Sequence, residues 1–379
     1  MRRTLFTEAH GDFRDAFRSF LLRHAVPHTQ RWEDQGFVDR PFWKEAGAAG
    51  FLSFEAPEEY GGLGVDDFRY NVVIAEELVA NEIAGDGFAL HNDIVTPYLL
   101  HQCSPQQQRR WLPGCVAGDT VTAIAMTEPG AGSDLAGIRT TARFEGDEVV
   151  LDGAKTFITN GTTADLVFVL ARTGEAGGRG MTLVAVETGT AGFEPGRPLH
   201  KIGRRAQDTG EMSFTRCRVP AANIVGEPGR ALELVKRNLP RERLSIAVTA
   251  VAGARRAFEL ALDYCKERQT FGQTLGRHQT VLHRLAGMHT AIEVTASHVD
   301  RCVEALNAGE LTAEEAAAAK LWATETQWSV TDQALQFFGG YGYMEEYPIA
   351  RIWRDARVQR IYGGTSEIMT EIVGRGLLR

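Results

Sequence analysis

No apolar run in the sequence approaches the roughly 20 residues that a helix needs to cross a bilayer, which excludes an integral membrane segment. Cysteine is scarce. The five present, Cys103, Cys115, Cys217, Cys265 and Cys302, are scattered, and none forms a C-x-x-C pair. That excludes a structural zinc site and a disulfide framework, and fits a reducing compartment. Positive charge is in deficit: a formal net charge of -8 argues against nucleic acid or an acidic membrane as main partner. The stretch Met1-Arg-Arg-Thr-Leu-Phe is basic, but no apolar core follows and Glu8 and Asp12 interrupt it. Neither a secretory signal nor a transit peptide is expected, and the cytoplasm is. P-loop, H-E-x-x-H and G-x-S-x-G signatures are all missing. Gly130-Ala-Gly132-Ser-Asp-Leu135 begins like a dinucleotide fingerprint but lacks the third glycine. Its neighbourhood is β-rich rather than βαβ, which excludes a Rossmann NAD site.

What is present divides by texture. The 379 residues suffice for two or three domains. Residues 1–120 read as helical, with Phe13, Phe17, Phe20, Leu21 and His24 at helical spacing, and Asn71 to Ala80 in the same style. Pro105 to Leu112 fits a short helix started at Ser104 and stopped at Pro113-Gly114. Residues 121–228 carry short β-type runs, Val149 to Leu151, Leu166 to Leu170 and Met181 to Val186, with no helical pattern between them. An antiparallel sheet or barrel is expected there. Residues 229–379 are helical again: Leu244 to Lys266, Gln279 to Asn307 and Thr312 to Phe338, broken at Gly309, Gly339-Gly340 and Gly342. The expected class is α+β, an N-terminal helical domain, a middle antiparallel β domain and a C-terminal helical bundle.

Four segments, in order, resemble one family. Ala125-Met-Thr-Glu-Pro-Gly-Ala-Gly-Ser-Asp134 matches A-x-T-E-P-x-x-G-S-D. Lys155-Thr-Phe-Ile-Thr-Asn-Gly161 matches K-x-W/F-I-T/S-N. Arg268-Gln-Thr-Phe-Gly-Gln-Thr-Leu275, with Gln279 following, matches R-x-x-F-G-x-x-L-x-x-x-Q. Gln336-Phe-Phe-Gly-Gly-Tyr-Gly-Tyr leads on to Ile361-Tyr-Gly-Gly-Thr-Ser-Glu367. Over nearly its whole length the chain resembles the acyl-CoA dehydrogenases. The resemblance implies FAD as cofactor and a fatty acyl-CoA thioester as substrate, dehydrogenated between its α and β carbons. It implies an electron-transfer flavoprotein as acceptor and a homotetramer whose FAD bridges subunits.

By the same resemblance, Met126, Thr127, Gly132, Ser133, Phe157, Thr159, Thr365 and Glu367 hold FAD in one chain. Arg268, Phe271, Gln279, Gln336 and Gly340 reach the FAD of a neighbour. Ser133, Arg243, Tyr362 and Gly363 face the substrate. Each has an ordinary alternative: a solvated threonine, a packed phenylalanine, an Arg268 paired with Glu267 or Asp263.

The family's usual C-terminal pattern is I-Y-E-G-T, whose Glu is the catalytic base. This chain has Gly363 in its place. A glycine keeps the backbone N–H that would bond the thioester oxygen and loses only the carboxylate. Leu239-Pro-Arg-Glu242-Arg-Leu resembles the long-chain and isovaleryl-type branch, in which the base sits on an upstream helix. Glu242 is the candidate base. Its structural alternative is a helix N-terminus beginning at Pro240, where a Glu favours the dipole and would have its pKa lowered. Oxidases and monooxygenases that share the fold, and enzymes acting on acyl groups held by a carrier protein, remain open at this point. No metal site is expected.

Overall fold

The computed structural model describes residues 3–83, 87–174 and 180–379, so Met1 and Arg2 of the basic N-terminal stretch lie outside the described residues. The chain runs helices, sheet, helices. The first group is α1 (Glu8–His24), α2 (Thr29–Gln35), α3 (Arg40–Ala48), α4 (Arg69–Ala80), a π-helical turn Ala89–Val95, α5 (Thr96–Gln102) and α6 (Pro105–Ala117). The sheet follows: β1 (Thr122–Ala125), β2 (Thr141–Glu145), β3 (Glu148–Thr159), β4 (Leu166–Arg172), β5 (Met181–Glu187), β6 (Phe193–Pro198), β7 (Thr209–Pro220) and β8 (Ile224–Val225). The last group is α7 (Ala231–Glu267), a small hairpin of β9 (Gln269–Thr270) and β10 (Gln273–Thr274), α8 (Gln279–Asn307), α9 (Ala313–Phe337), α10 (Pro348–Ala356) and α11 (Ser366–Leu377).

The sheet order is β6-β7-β3-β2-β4-β5-β8, with β1 added beside β4. Its pairings are antiparallel except that β1 lies parallel to β4 and β2 meets β4 in parallel at Thr141 and Arg172. The expectation of a wholly antiparallel sheet therefore needs this correction. Both faces are covered. Along β4, Leu166, Phe168 and Leu170 join one core with α5 and α6, while Val167, Val169 and Ala171 join the opposite one. Period-2 alternation with both sides buried gives the continuous apolar run seen in the sequence.

Two helix limits differ from the sequence reading. α6 passes through Pro113 and Gly114 and stops at Gly118, whose φ of +74° suits glycine. α7 starts at Ala231 and passes through Pro240. A mid-helix proline removes one backbone hydrogen bond. Here Val235, Asn238, Glu242 and Leu244 are buried on either side of it, and that packing keeps the helix continuous. α8 coincides with the predicted segment, and α9 is capped by Thr312, whose hydroxyl accepts from the Glu315 N–H.

Candidate active site

Because α7 begins eleven residues before Glu242, that residue sits three turns in, away from the positive end of the helix dipole. The N-terminal alternative for Glu242 falls with that geometry. Its carboxylate is buried, and burial pushes its pKa up to about 7, against the pull of Arg243 and of the Tyr98 hydroxyl. Tyr98, on α5 and fully buried, donates to Glu242 Oε1 at 3.4 Å. Arg243 is also buried, and its Nε has no partner among the described residues.

Gly363 is brought against the same helix. It has a φ of +65°, and a Cβ there would collide with the end of Ile246, one turn beyond Glu242. Its N–H has no hydrogen-bond partner among the described residues. The neighbouring segment is strapped to α9. Lys320, fully buried, donates to the Gly364 carbonyl at 2.7 Å. Glu325 accepts from Arg360 Nε at 2.8 Å and from Ser366 Oγ at 2.7 Å. Burial, helped by Arg243, pushes the Lys320 pKa down to about 8. Tyr362 donates to Gln359 Oε1 at 2.7 Å. Thr365 caps α11, its hydroxyl accepting from the Ile368 N–H at 3.4 Å, and Glu367 is exposed in that first turn.

A second group forms where the first two motifs meet. Buried Lys155 donates to the Met126 carbonyl and to Glu128 Oε1, both at 2.9 Å. The Thr127 carbonyl accepts from the Thr156 N–H at 3.0 Å. A bulge between Lys155 and Ile158 turns Phe157 outward with φ +59°, 69% exposed. Thr159 Oγ1 accepts from Gln207 Nε2 at 2.9 Å. Gly132 and Ser133 lie on the exposed loop after β1.

The third group gathers the ends of α7, α8 and α9. Arg268 is exposed and has no carboxylate partner among the described residues. Asp263 pairs with Lys266 instead. Phe271, at the tip of the small hairpin, has φ +49° and is 98% exposed. Gln279 and Gln336 are exposed nearby, and Arg268 and Gly340 share one open groove with Tyr264 and Phe338.

These faces fit a bulky planar group with a phosphate tail. A Cβ placed on Gly130, Gly132 or Gly340 meets nothing within 4 Å, so the chain's own packing does not need those glycines. They leave room for close approach. Two phenylalanines are held in a left-handed conformation with their rings largely in solvent, Phe271 meeting only the His278 ring edge-on, and a covering ligand would use them. An unpaired arginine fork suits a pyrophosphate.

Sequence reasoning missed Tyr98, Lys155, Glu128 and Lys320. Glu128 and Lys155 were legible as opposite charges inside two matched motifs. Lys320 stands out as one lysine after the apolar run Ala316 to Ala319. Nothing in the sequence marks Tyr98.

Comparison with known proteins agrees with this geometry. The acyl-CoA dehydrogenase N-terminal, middle and C-terminal domain models match residues 7–119, 123–217 and 229–378. The pig mitochondrial long-chain specific acyl-CoA dehydrogenase is 44% identical over 379 residues, 99% of this chain and 88% of that protein. An acyl-CoA dehydrogenase from Geobacillus kaustophilus superposes with a TM-score of 0.96 at 46% identity, covering 98% of both chains. One from Bacillus anthracis, solved with FAD, gives 0.91 at 30% identity, covering all of this chain and 69% of the other. The chain belongs to the acyl-CoA dehydrogenase family and is an FAD-dependent oxidoreductase.

Proposed function

We propose that this protein dehydrogenates a fatty acyl-CoA thioester to the trans-2-enoyl thioester, with Glu242 as the base. The observation that carries the reading is a buried carboxylate on α7 one turn from the residue, Ile246, that touches the glycine at the usual base position. Bound FAD supplies the acceptor for the β hydrogen and its electron pair.

The chain's own residues do the rest. The Gly363 N–H bonds the thioester oxygen and so makes the α hydrogen more acidic. Glu242 takes that proton, and the electrons left behind form the α,β double bond as the β hydrogen departs. A pKa near 7 makes Glu242 a stronger base than an ordinary surface carboxylate while leaving it largely ionised just above neutrality. Tyr98 orients it. Lys320 holds the Gly363-Gly364 turn through the Gly364 carbonyl. Met126, Thr127, Gly132, Ser133, Phe157, Thr159, Thr365 and Glu367 would hold FAD, with Ser133, Arg243 and Tyr362 also facing the substrate.

Arg268 follows Glu242 by 26 residues, about 39 Å along α7 at 1.5 Å per residue. That is further than one FAD spans with its ring beside Glu242. Arg268, Phe271, Gln279, Gln336 and Gly340 therefore serve the FAD of another subunit, in a homotetramer that passes electrons to an electron-transfer flavoprotein. The test is anaerobic titration of FAD-loaded protein with a series of saturated acyl-CoA thioesters, followed by oxygen-consumption assays. Flavin bleaching with slow oxygen uptake is expected. No bleaching by any member of the series, or turnover coupled to oxygen, overturns the reading.

A further inference from the structure

The loop between β6 and β7, residues 199–208, has no role in the reaction proposed above, yet it reaches the face that would hold FAD. It is clamped against α10. A Cβ on Gly203 would meet the Arg354 carbonyl oxygen at 2.6 Å. The Arg204 N–H, on a left-handed backbone with φ +46°, donates to the Asp355 carboxylate. A tight turn follows, in which the Gln207 N–H donates to the Arg204 carbonyl at 3.0 Å. The Gln207 carbonyl accepts from Lys201 Nζ and, at 3.3 Å, from Thr209 Oγ1. The backbone at 207 is therefore fixed without help from its own side chain.

That side chain joins two other residues. Arg204 Nε donates to Gln207 Oε1 at 2.7 Å, and Gln207 Nε2 donates to Thr159 Oγ1 at 2.9 Å. Chemistry sets the polarity of this chain. A guanidinium can only donate, so the amide oxygen must face Arg204 and the amide nitrogen must face Thr159. An amide nitrogen can only donate, so the Thr159 hydroxyl accepts there and its hydrogen must point elsewhere. That hydrogen has no acceptor among the described residues. Thr159 is half-buried at the end of β3, two residues after the exposed Phe157.

We propose that Gln207 is a positioning residue for the flavin: backed by Arg204, it keeps the Thr159 hydroxyl as a hydrogen-bond donor to the FAD ring. The inference rests on the reading that places Thr159 at FAD. Guanidinium, amide and hydroxyl are aligned with their positive ends towards the ring, and bonds in such a chain strengthen one another. Reduction adds electrons to the ring, so the chain favours the reduced flavin.

The experiment measures the two-electron midpoint potential of FAD-loaded protein by equilibration with a reference dye. Gln207→Met keeps the length of the side chain and removes the donor. The reduction equilibrium should fall about tenfold, a shift of about 30 mV to lower potential. Gln207→Glu keeps the bond to Arg204 but can only accept, so the Thr159 hydroxyl turns towards it, and a larger fall is expected. Thr159→Val should lower the potential too, and adding Gln207→Met to it should change nothing further. An unchanged or raised potential in both Gln207 variants, with a lowered one in Thr159→Val, overturns the inference alone. A Gln207→Met shift that persists in the Thr159→Val background also overturns it. A potential unmoved in Thr159→Val overturns the placing of Thr159 at FAD, and the inference with it. If Thr159→Val releases FAD, the two Gln207 variants decide.

Discussion

Glu242 must be ionised to accept a proton, yet burial holds its pKa near 7. The rate of flavin reduction should therefore rise with pH through about 7 and level off above it. Stability should move the opposite way. The folded state favours the protonated form, so this group's contribution is full below its ordinary value of 4.5 and is lost as pH rises through about 7. A stopped-flow profile that is flat from pH 5 to 9 contradicts the assignment. At Gly363 the left-handed backbone and the end of Ile246 both resist a side chain. Moving the carboxylate back, as Glu242→Gly with Gly363→Glu, is expected to recover little acyl-CoA-dependent flavin reduction. Adding Ile246→Ala should recover more, and equal recovery with and without the trim would show that Ile246 does not crowd the site. Glu242 was legible in the sequence because its motif and the vacancy at 363 point to each other. Its pKa was not, since it depends on burial against segments distant in the chain, Tyr98 among them.

At the scale of elements, α9 holds the C-terminal turn in place through Lys320 and Glu325. Lys320→Met removes a charge-assisted bond worth roughly 1.5–3 kcal/mol. If that energy orients the Gly363 N–H, flavin reduction slows about 10- to 100-fold with FAD content unchanged. Loss of FAD with no change in rate per bound flavin would mean that Lys320 serves only the fold. Lys155 plays a similar part between β3 and the 126–128 loop. Lys155→Met strands a buried Glu128 carboxylate, although the Arg139 and Thr140 N–H groups still reach it. A loss of about 3 kcal/mol is expected from the buried pair, read by denaturant unfolding, together with weaker FAD retention. α8 and α9 were legible from the sequence because their apolar spacing and breaking glycines agree. The start of α7 was not, because burial around Pro240 outweighs what proline alone dictates. The parallel pairing of β1 with β4 was equally hidden, because it joins segments about 40 residues apart.

At the scale of the molecule, the length of α7 separates Glu242 from Arg268, so the proposed cofactor site needs two chains. Co-expressing Arg268→Ala chains with Glu242→Gln chains tests this. A hybrid site taking Glu242 from the first chain and Arg268 from the second is complete, so mixed oligomers should regain activity that neither variant has alone. No recovery in mixed oligomers contradicts a bridged cofactor. The three-part architecture was legible because composition changes texture near residues 120 and 228. The packing of α4 and α9 against α7 was not, because these helices come together from distant parts of the chain.

The central claim is that the base sits on α7. The most direct test mixes FAD-loaded Glu242→Gln protein with a long-chain acyl-CoA under anaerobic conditions and follows flavin absorbance. Gln keeps the size of the side chain and the Tyr98 partner but cannot take the proton. The account predicts yellow protein, with FAD bound as in the wild type, whose bleaching is slower by about 10²–10⁴-fold. Bleaching at near the wild-type rate would contradict it.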